Sequence, residues 1–227
     1  MTLPLLILRP LDGALQTERR ARGLDLSVVV DPLFVIEAVP WLAPKTAEFD
    51  ALLLTSANAL KFGGADLNIY HSLPVLAVGE KTAAAATDAG FQVVETGQAG
   101  AQDLMDHSTA DQYRNILWLT GEQYTEISAP ERHLHILPVY RSQACELGEQ
   151  AKACLAEETA ILLYSARAAQ HLAAELDRLY LPKSRYHILA FSAKVAEAAG
   201  DGWKSLHVAD QPDDDALLSL ASRLCLS

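Results

Sequence analysis

Leu52-Leu53-Leu54-Thr55-Ser56-Ala57-Asn58-Ala59 returns in the second half of the chain as Ile161-Leu162-Leu163-Tyr164-Ser165-Ala166-Arg167-Ala168. Val75-Leu76-Ala77-Val78-Gly79-Glu80-Lys81-Thr82-Ala83 returns as Ile188-Leu189-Ala190-Phe191-Ser192-Ala193-Lys194-Val195-Ala196. The offsets, 109 and 113 residues, are nearly equal. Each unit reads as an apolar strand, a turn of small residues and the start of a helix. Outward from these units, further strands are expected at Leu5 to Leu8, Ser27 to Val30, Phe91 to Glu95, Asn115 to Leu119 and Ser205 to Val208. The unbroken apolar run of the first suits a strand buried on both faces. Helices are expected over Thr17 to Leu24, from about Asn58, over Lys81 to Ala89 with Gly90 as its stop, over Ala101 to Ser108 and over Gly148 to Glu157. Strands alternating with helices predict an α/β fold of parallel sheets covered on both faces.

Leu33 to Val39, ending at Pro40, and His133 to Ser142, with Pro138 inside it, read as extended connectors. They divide the chain into one domain of residues 1–35 plus 143–227, holding both ends, and an inserted domain of residues 36–142. The expectation is two similar flavodoxin-like α/β sandwiches joined by a two-stranded connector. Two such halves can face each other across a cleft, with helix N-termini pointing inward from both sides. Such ends bind anions through backbone N–H groups and the helix dipole.

Composition narrows the function. Half of the 227 residues are apolar, enough for a sizeable core. The formal net charge of −11 argues against nucleic acid and anionic membranes as partners. It permits a small anionic ligand, because salt screens distant charge beyond ~8–10 Å. No apolar run approaches the ~20 residues that span a bilayer. The opening stretch, Met1 to Pro10, lacks a basic start and its apolar run stops at Arg9-Pro10, so a buried first strand is expected rather than a signal peptide. Cys145, Cys154 and Cys225 match no metal spacing, which fits a reduced, cytoplasmic protein. A monomer is the default expectation.

The candidate site residues lie in the turns. Thr55-Ser56-Ala57-Asn58 is either a plain helix cap or a ligand turn at the carboxyl end of a parallel sheet. Similar turns follow Val78, Leu119, Leu163 and Phe191, and small residues at Gly79, Gly121, Ala166 and Ala193 would let a ligand approach the backbone. With Thr82, Thr120, Ser165 and Ser192 they form the expected binding set. Lys81 and Lys194 hold matching positions in the two repeats. They are solvated surface lysines or, taken together, a carboxylate or phosphate clamp, with Arg9 placed similarly. Tyr140, in Pro138-Val139-Tyr140-Arg141-Ser142, is either an aromatic brace or a phenol able to hydrogen-bond a leaving oxygen. His133-x-His135 reads as strand alternation, and Asp213-Asp214-Asp215 as a solvated helix cap before Ala216. No P-loop, GxGxxG or GxSxG pattern is present.

Leu8-Arg9-Pro10, Pro32-Leu33-Phe34, Leu54-Thr55-Ser56-Ala57-Asn58-Ala59, Val78-Gly79-Glu80-Lys81-Thr82-Ala83, Leu119-Thr120-Gly121 and Val139-Tyr140-Arg141 occur in this order. Together they resemble the uroporphyrinogen-III synthase family over nearly the whole chain. Asp25 stands where that family usually has a glycine ending the first helix, with Gly23 as the alternative. The resemblance implies two α/β domains and a reaction without cofactor or metal. The linear tetrapyrrole hydroxymethylbilane is closed to uroporphyrinogen III, with inversion of the last ring through azafulvene and spiro intermediates. It implies Tyr140 as general acid or water-positioning donor, and Thr55, Ser56, Thr82, Ser165, Ser192 and Lys194 as lining residues. The enzyme that makes hydroxymethylbilane is a candidate partner. The alternatives are a non-catalytic two-lobed binding or sensor module for a polyanion, and a nucleotide-dependent transferase, which the missing phosphate loop disfavours.

Overall fold

Leu5, Leu6, Ile7 and Leu8 are fully buried in the computed structural model, which describes residues 3–107 and 112–226. Their side chains alternate between two cores. Leu6 and Leu8 join Ile161 and Ile188 on one face; Leu5 and Ile7 join Leu162, Leu189 and Leu217 on the other. An apolar run without alternation is therefore what a strand covered on both faces requires. The chain begins β1 (Leu5–Ile7), α1 (Leu11–Arg22), β2 (Val28–Val30), β3 (Phe34–Ala38), β4 (Ala51–Leu54) and α2 (Asn58–Phe62). It continues β5 (Val75–Val78), α3 (Glu80–Asp88), β6 (Val93–Gly97), α4 (Ala101–His107), β7 (Asn115–Gly121) and β8 (His133–Ala144). It ends α5 (Glu149–Cys154), β9 (Thr159–Leu163), α6 (Ala166–Arg178), β10 (Tyr186–Ala190), α7 (Ala193–Ala199), β11 (Ser205–Val208) and α8 (Asp214–Cys225). The expected mixture of helices and parallel sheets is what forms. Ser108, the expected end of the fourth helix, and Met1 lie outside the described residues.

The chain separates into two compact units, one made of the residues up to Val35 and from Gln143 onward, the other of Ile36–Ser142. The first unit holds a five-stranded sheet in the order β11-β10-β9-β1-β2, every neighbouring pair parallel. The six-stranded sheet runs β3-β8-β7-β4-β5-β6, and its pairs from β8 to β6 are parallel. Its two faces carry separate cores, Leu52 and Leu54 in one, Ala51 and Leu53 in the other. The chain passes between the units within β3 and again within β8.

Two local expectations are corrected. The first helix starts at Leu11, six residues before Thr17, and buries Ala14, Thr17 and Ala21. Gly13 hid this start, since glycine disfavours helix. A Cβ at that position would lie 2.6 Å from Arg9 Nε. At the end of that helix Asp25, not Gly23, takes the left-handed backbone (φ 59°), while Gly23 stays helical at φ −65°. Aspartate tolerates that region better than most residues.

Candidate functional site

Parallel sheets bind ligands beyond the carboxyl ends of their strands, at the place where strand order reverses. In the six-stranded sheet that place lies between β4 and β7; in the five-stranded sheet it lies between β1 and β9. Each is described in its own unit.

In the second unit, β8 carries one residue more than β7. Thr120 pairs with Pro138, Gly121 pairs with Tyr140, and Val139 is the extra residue. Proline has no N–H for the ladder and settles at such irregularities. The shift sets the Tyr140 ring on Gly121, where a Cβ would come within 2.6 Å of Tyr140 Cε2 and 2.9 Å of Cζ. Phe62, the last residue of α2, lies 6.5 Å from the Tyr140 ring between centroids, tilted by 37°. Tyr140 is half-buried, its carbonyl accepts from the Glu122 N–H at 2.9 Å, and its hydroxyl has no hydrogen bond among the described residues. Gly121 thus seats the phenol and does not leave bare backbone for a ligand.

Across the switch point, Thr55 Oγ1 accepts from Trp118 Nε1 at 3.2 Å and Ser56 Oγ accepts from the Asn58 N–H at 3.2 Å. Both hydroxyls keep a proton to donate. Ala57, at the head of α2, and Asn58 are half-buried. Gly79 differs from Gly121. Its φ of 80° excludes most side chains, and nothing lies within 4 Å of the Cβ position, so its backbone is approachable. It heads α3, whose start has no side-chain cap. Lys81 is exposed in the first turn of that helix and makes no ion pair among the described residues. Thr82 (5% exposed) and Thr120 (2%) are buried, so neither presents its side chain to solvent.

The first unit fills its switch point with its own side chains. Arg9 follows β1 and Tyr164 follows β9; the guanidinium lies 4.0 Å above the Tyr164 ring. Arg9 Nη1 donates to Asp214 Oδ1 at 3.2 Å, the Tyr164 hydroxyl donates to the same oxygen at 2.5 Å, and Thr17 Oγ1 donates to Oδ2 at 3.0 Å. Arg20 adds a bond to Oδ2 at 3.1 Å. Burial, and then the Asp214 hydrogen bond, push the Tyr164 phenol well above its ordinary pKa, which makes it a poor acid. Arg9, expected as part of an anion clamp, is instead satisfied by Asp214. Sequence reading missed this group. Its one signal was that tyrosine replaces the threonine of the first repeat, Thr55 against Tyr164.

Ser165 behaves as a plain cap: its side chain accepts from the Ala168 N–H at 3.1 Å, and Ala166 is simply the first residue of α6. Ser192 heads α7 without a side-chain cap bond, and Lys194, exposed in its first turn, has no ion pair among the described residues. Asp213 caps α8 through the Ala216 N–H at 2.8 Å, as read, while Asp214 is the hub of the Arg9 network. Among the described residues no group of three or more His, Cys, Asp or Glu is placed to hold a metal ion. The chemistry on offer is therefore a phenol donor with an unused hydroxyl in the second unit, and uncapped helix starts with nearby lysines in each unit.

A family model described as uroporphyrinogen-III synthase HemD matches residues 15–219. Among solved structures the chain is similar to uroporphyrinogen-III synthetase from Helicobacter pylori, at 16% identity and a TM-score of 0.64, covering 99% of this chain and 100% of that one. It is also similar to a mutant uroporphyrinogen III synthase from the extremely thermophilic bacterium Thermus thermophilus, at 17% identity and a TM-score of 0.55, covering 99% and 100%. At these identities the two likenesses concern the fold. No curated protein sequence matches the chain.

Proposed function

The chain belongs to the uroporphyrinogen-III synthase family, enzymes of porphyrin and heme biosynthesis, and on that premise we propose that it closes hydroxymethylbilane to uroporphyrinogen III with inversion of the last ring. The terminal hydroxyl departs as water, leaving an azafulvene. The azafulvene carbon is attacked by the substituted carbon of the last pyrrole, which gives a spiro intermediate. Fragmentation and reclosure then invert that ring. Electrons are redistributed within the substrate, so no cofactor is required.

Tyr140 hydrogen-bonds the departing hydroxyl and supplies or positions its proton. The observation that carries this role is its hydroxyl, which has no partner among the described residues, on a half-buried residue paired with Gly121 at the carboxyl end of β7 and with Phe62 beside its ring. The substrate is a polycarboxylate. In the second unit the uncapped start of α3, with Gly79 and Lys81, suits a carboxylate, and Thr55 and Ser56 are hydroxyl donors. In the first unit the uncapped start of α7, with Ser192 and Lys194, does the same. A cytoplasmic setting fits three cysteines without a disulfide. Among the described residues no helix is long and apolar enough to cross a membrane.

The test is incubation with freshly made hydroxymethylbilane, followed by oxidation and separation of the uroporphyrin isomers. Type III product is expected; the type I isomer alone, which forms spontaneously, refutes the reading. Tyr140→Phe should lower turnover by ~10-fold or more while leaving the fold intact. Normal turnover by that variant would remove Tyr140 from the acid role.

A further inference from the structure

At the amino end of the five-stranded sheet, opposite its carboxyl-end turns, polar side chains from three strand starts converge. His187 and Ser205 face each other in the register of β10 and β11. Ser205 Oγ lies 2.7 Å from His187 Nδ1 and 2.8 Å from His207 Nε2. The other nitrogen of His187, Nε2, lies 2.8 Å from Glu158 Oε1, just before β9. Lys204 pairs with the second oxygen of Glu158 and steadies it. The His187 ring is buried, and Ser205 is half-buried.

A carboxylate only accepts, so when His187 is neutral its hydrogen lies on Nε2 and the lone pair of Nδ1 faces Ser205. Ser205 donates there and accepts from His207 Nε2–H. A hydroxyl, a base and a carboxylate that orients the base therefore stand in hydrogen-bond sequence, the arrangement that activates a serine nucleophile. Of this cluster His207 alone reaches a cavity of about 220 Å³, which it lines with Leu220, Arg223 and Leu224. The residues are widely spaced in the chain, so no motif announces them.

We propose that Ser205, His187 and Glu158 form a second site, which hydrolyses short-chain acyl esters held in the Leu220–Leu224 cavity. Ser205 Oγ bonds to the carbonyl carbon as its proton passes to His187 Nδ1, leaving a tetrahedral oxyanion. The bond to the leaving alcohol breaks, and the alcohol takes the proton from His187. Water then attacks the acyl-serine with His187 again as base, releasing the carboxylic acid and restoring Ser205.

The full chain is assayed with p-nitrophenyl acetate and butyrate, and labelled with a fluorophosphonate probe followed by peptide mass spectrometry. The expected result is hydrolysis above buffer, a single adduct on Ser205, and loss of both in Ser205→Ala. His187→Gln should lower the rate by ~100-fold or more, the usual share of a general base. Ser205→Ala should still form the type III isomer, which shows that its fold is intact. Equal hydrolysis by wild type and Ser205→Ala, or no adduct on Ser205, overturns the proposal and leaves the cluster a structural hydrogen-bond network.

Discussion

Tyr140 is positioned by the absence of an atom. Gly121→Ala would place a methyl 2.6 Å from its Cε2, inside any normal contact. Overpacking of this kind costs ~1–3 kcal/mol, and the ring can relieve it only by leaving its seat. Gly121→Ala should therefore lower both urea resistance and type III formation, and full turnover in a destabilised variant would show that the seat does not matter. Glu175 offers a second residue-scale test, through pH. Its carboxylate is bonded by Arg178 at 2.8 Å on each oxygen and by the Leu147 N–H at 2.8 Å. The Arg178 bonds foremost, then that N–H, outweigh burial and pull its pKa from 4.5 down to about 2. A lowered folded-state pKa gives stability that is present above the unfolded value and is lost as pH falls through the folded one, here from about 4.5 toward 2. The contribution is on the order of 2 kcal/mol at neutral pH. In Glu175→Gln the stability gap from wild type should be widest at neutral pH and shrink across that window in denaturant titrations. A gap independent of pH would disprove the linkage. Tyr140 stands out in the sequence as an aromatic two residues after Pro138 in a connector, which suits a brace or a donor alike, and only the fold shows its ring against Gly121. Asp214 was not, because its hydroxyl partner Tyr164 is 50 residues away and a run of three aspartates before a helix reads as a cap.

At the scale of elements, the turns that look alike in sequence divide by what their first side chain bonds. Ser165 spends its oxygen on the Ala168 N–H, so α6, thirteen residues long, begins satisfied. The starts of α3 and α7 have no such cap, and an anion there would meet open donors. Ser165→Ala should accordingly cost about 1 kcal/mol in denaturant unfolding, the usual worth of a cap, while the KM for hydroxymethylbilane stays within about 2-fold, since ~0.4 kcal/mol is within the noise of a remote change. A large rise in KM with unchanged stability would restore Ser165 to the binding set. Sequence could not separate these cases. Serine, glycine and alanine at a strand-to-helix turn are compatible with either outcome, and the choice depends on a side-chain rotamer. Strand existence was easier to read, because buried parallel strands leave unbroken apolar runs. Register was harder: nothing local to Pro138 specifies that Val139 is the residue skipped, although that skip aims Tyr140.

For the whole molecule, the sequence repeat marks a shared plan. In space both sheets run third, second and first strand of the repeated module, β6-β5-β4 in one and β11-β10-β9 in the other. Two flanking strands follow, β7-β8 in the first case, with β3 added at the edge, and β1-β2 in the second. The flanking pair comes after its module in one unit and before it in the other. That is why the repeat was visible for the modules and invisible for the flanks. Arg9 and Thr120 accordingly occupy matching places, two residues beyond Ile7 and Trp118, yet one is locked to Asp214 and the other is buried. With Arg9 bonded to Asp214, the proposed carboxylate contacts are the amides of α3 with Thr55, Ser56 and Lys81 in the second unit and the amides of α7 with Lys194 in the first. With a net charge of −11 the far field of the chain repels the proposed substrate, and neutral amide dipoles at helix starts attract only at contact. Raising ionic strength from about 0.01 M to 0.1 M shortens the screening length from ~30 Å to ~10 Å. It weakens the repulsion and leaves the contacts nearly intact. The value of kcat/KM should thus rise with salt over that range, by up to about 10-fold. If Lys81 and Lys194 were the main source of attraction, salt would weaken capture and kcat/KM would fall. The sign of the slope therefore decides between amide and lysine capture, and a Lys81→Gln, Lys194→Gln double variant should keep the positive slope.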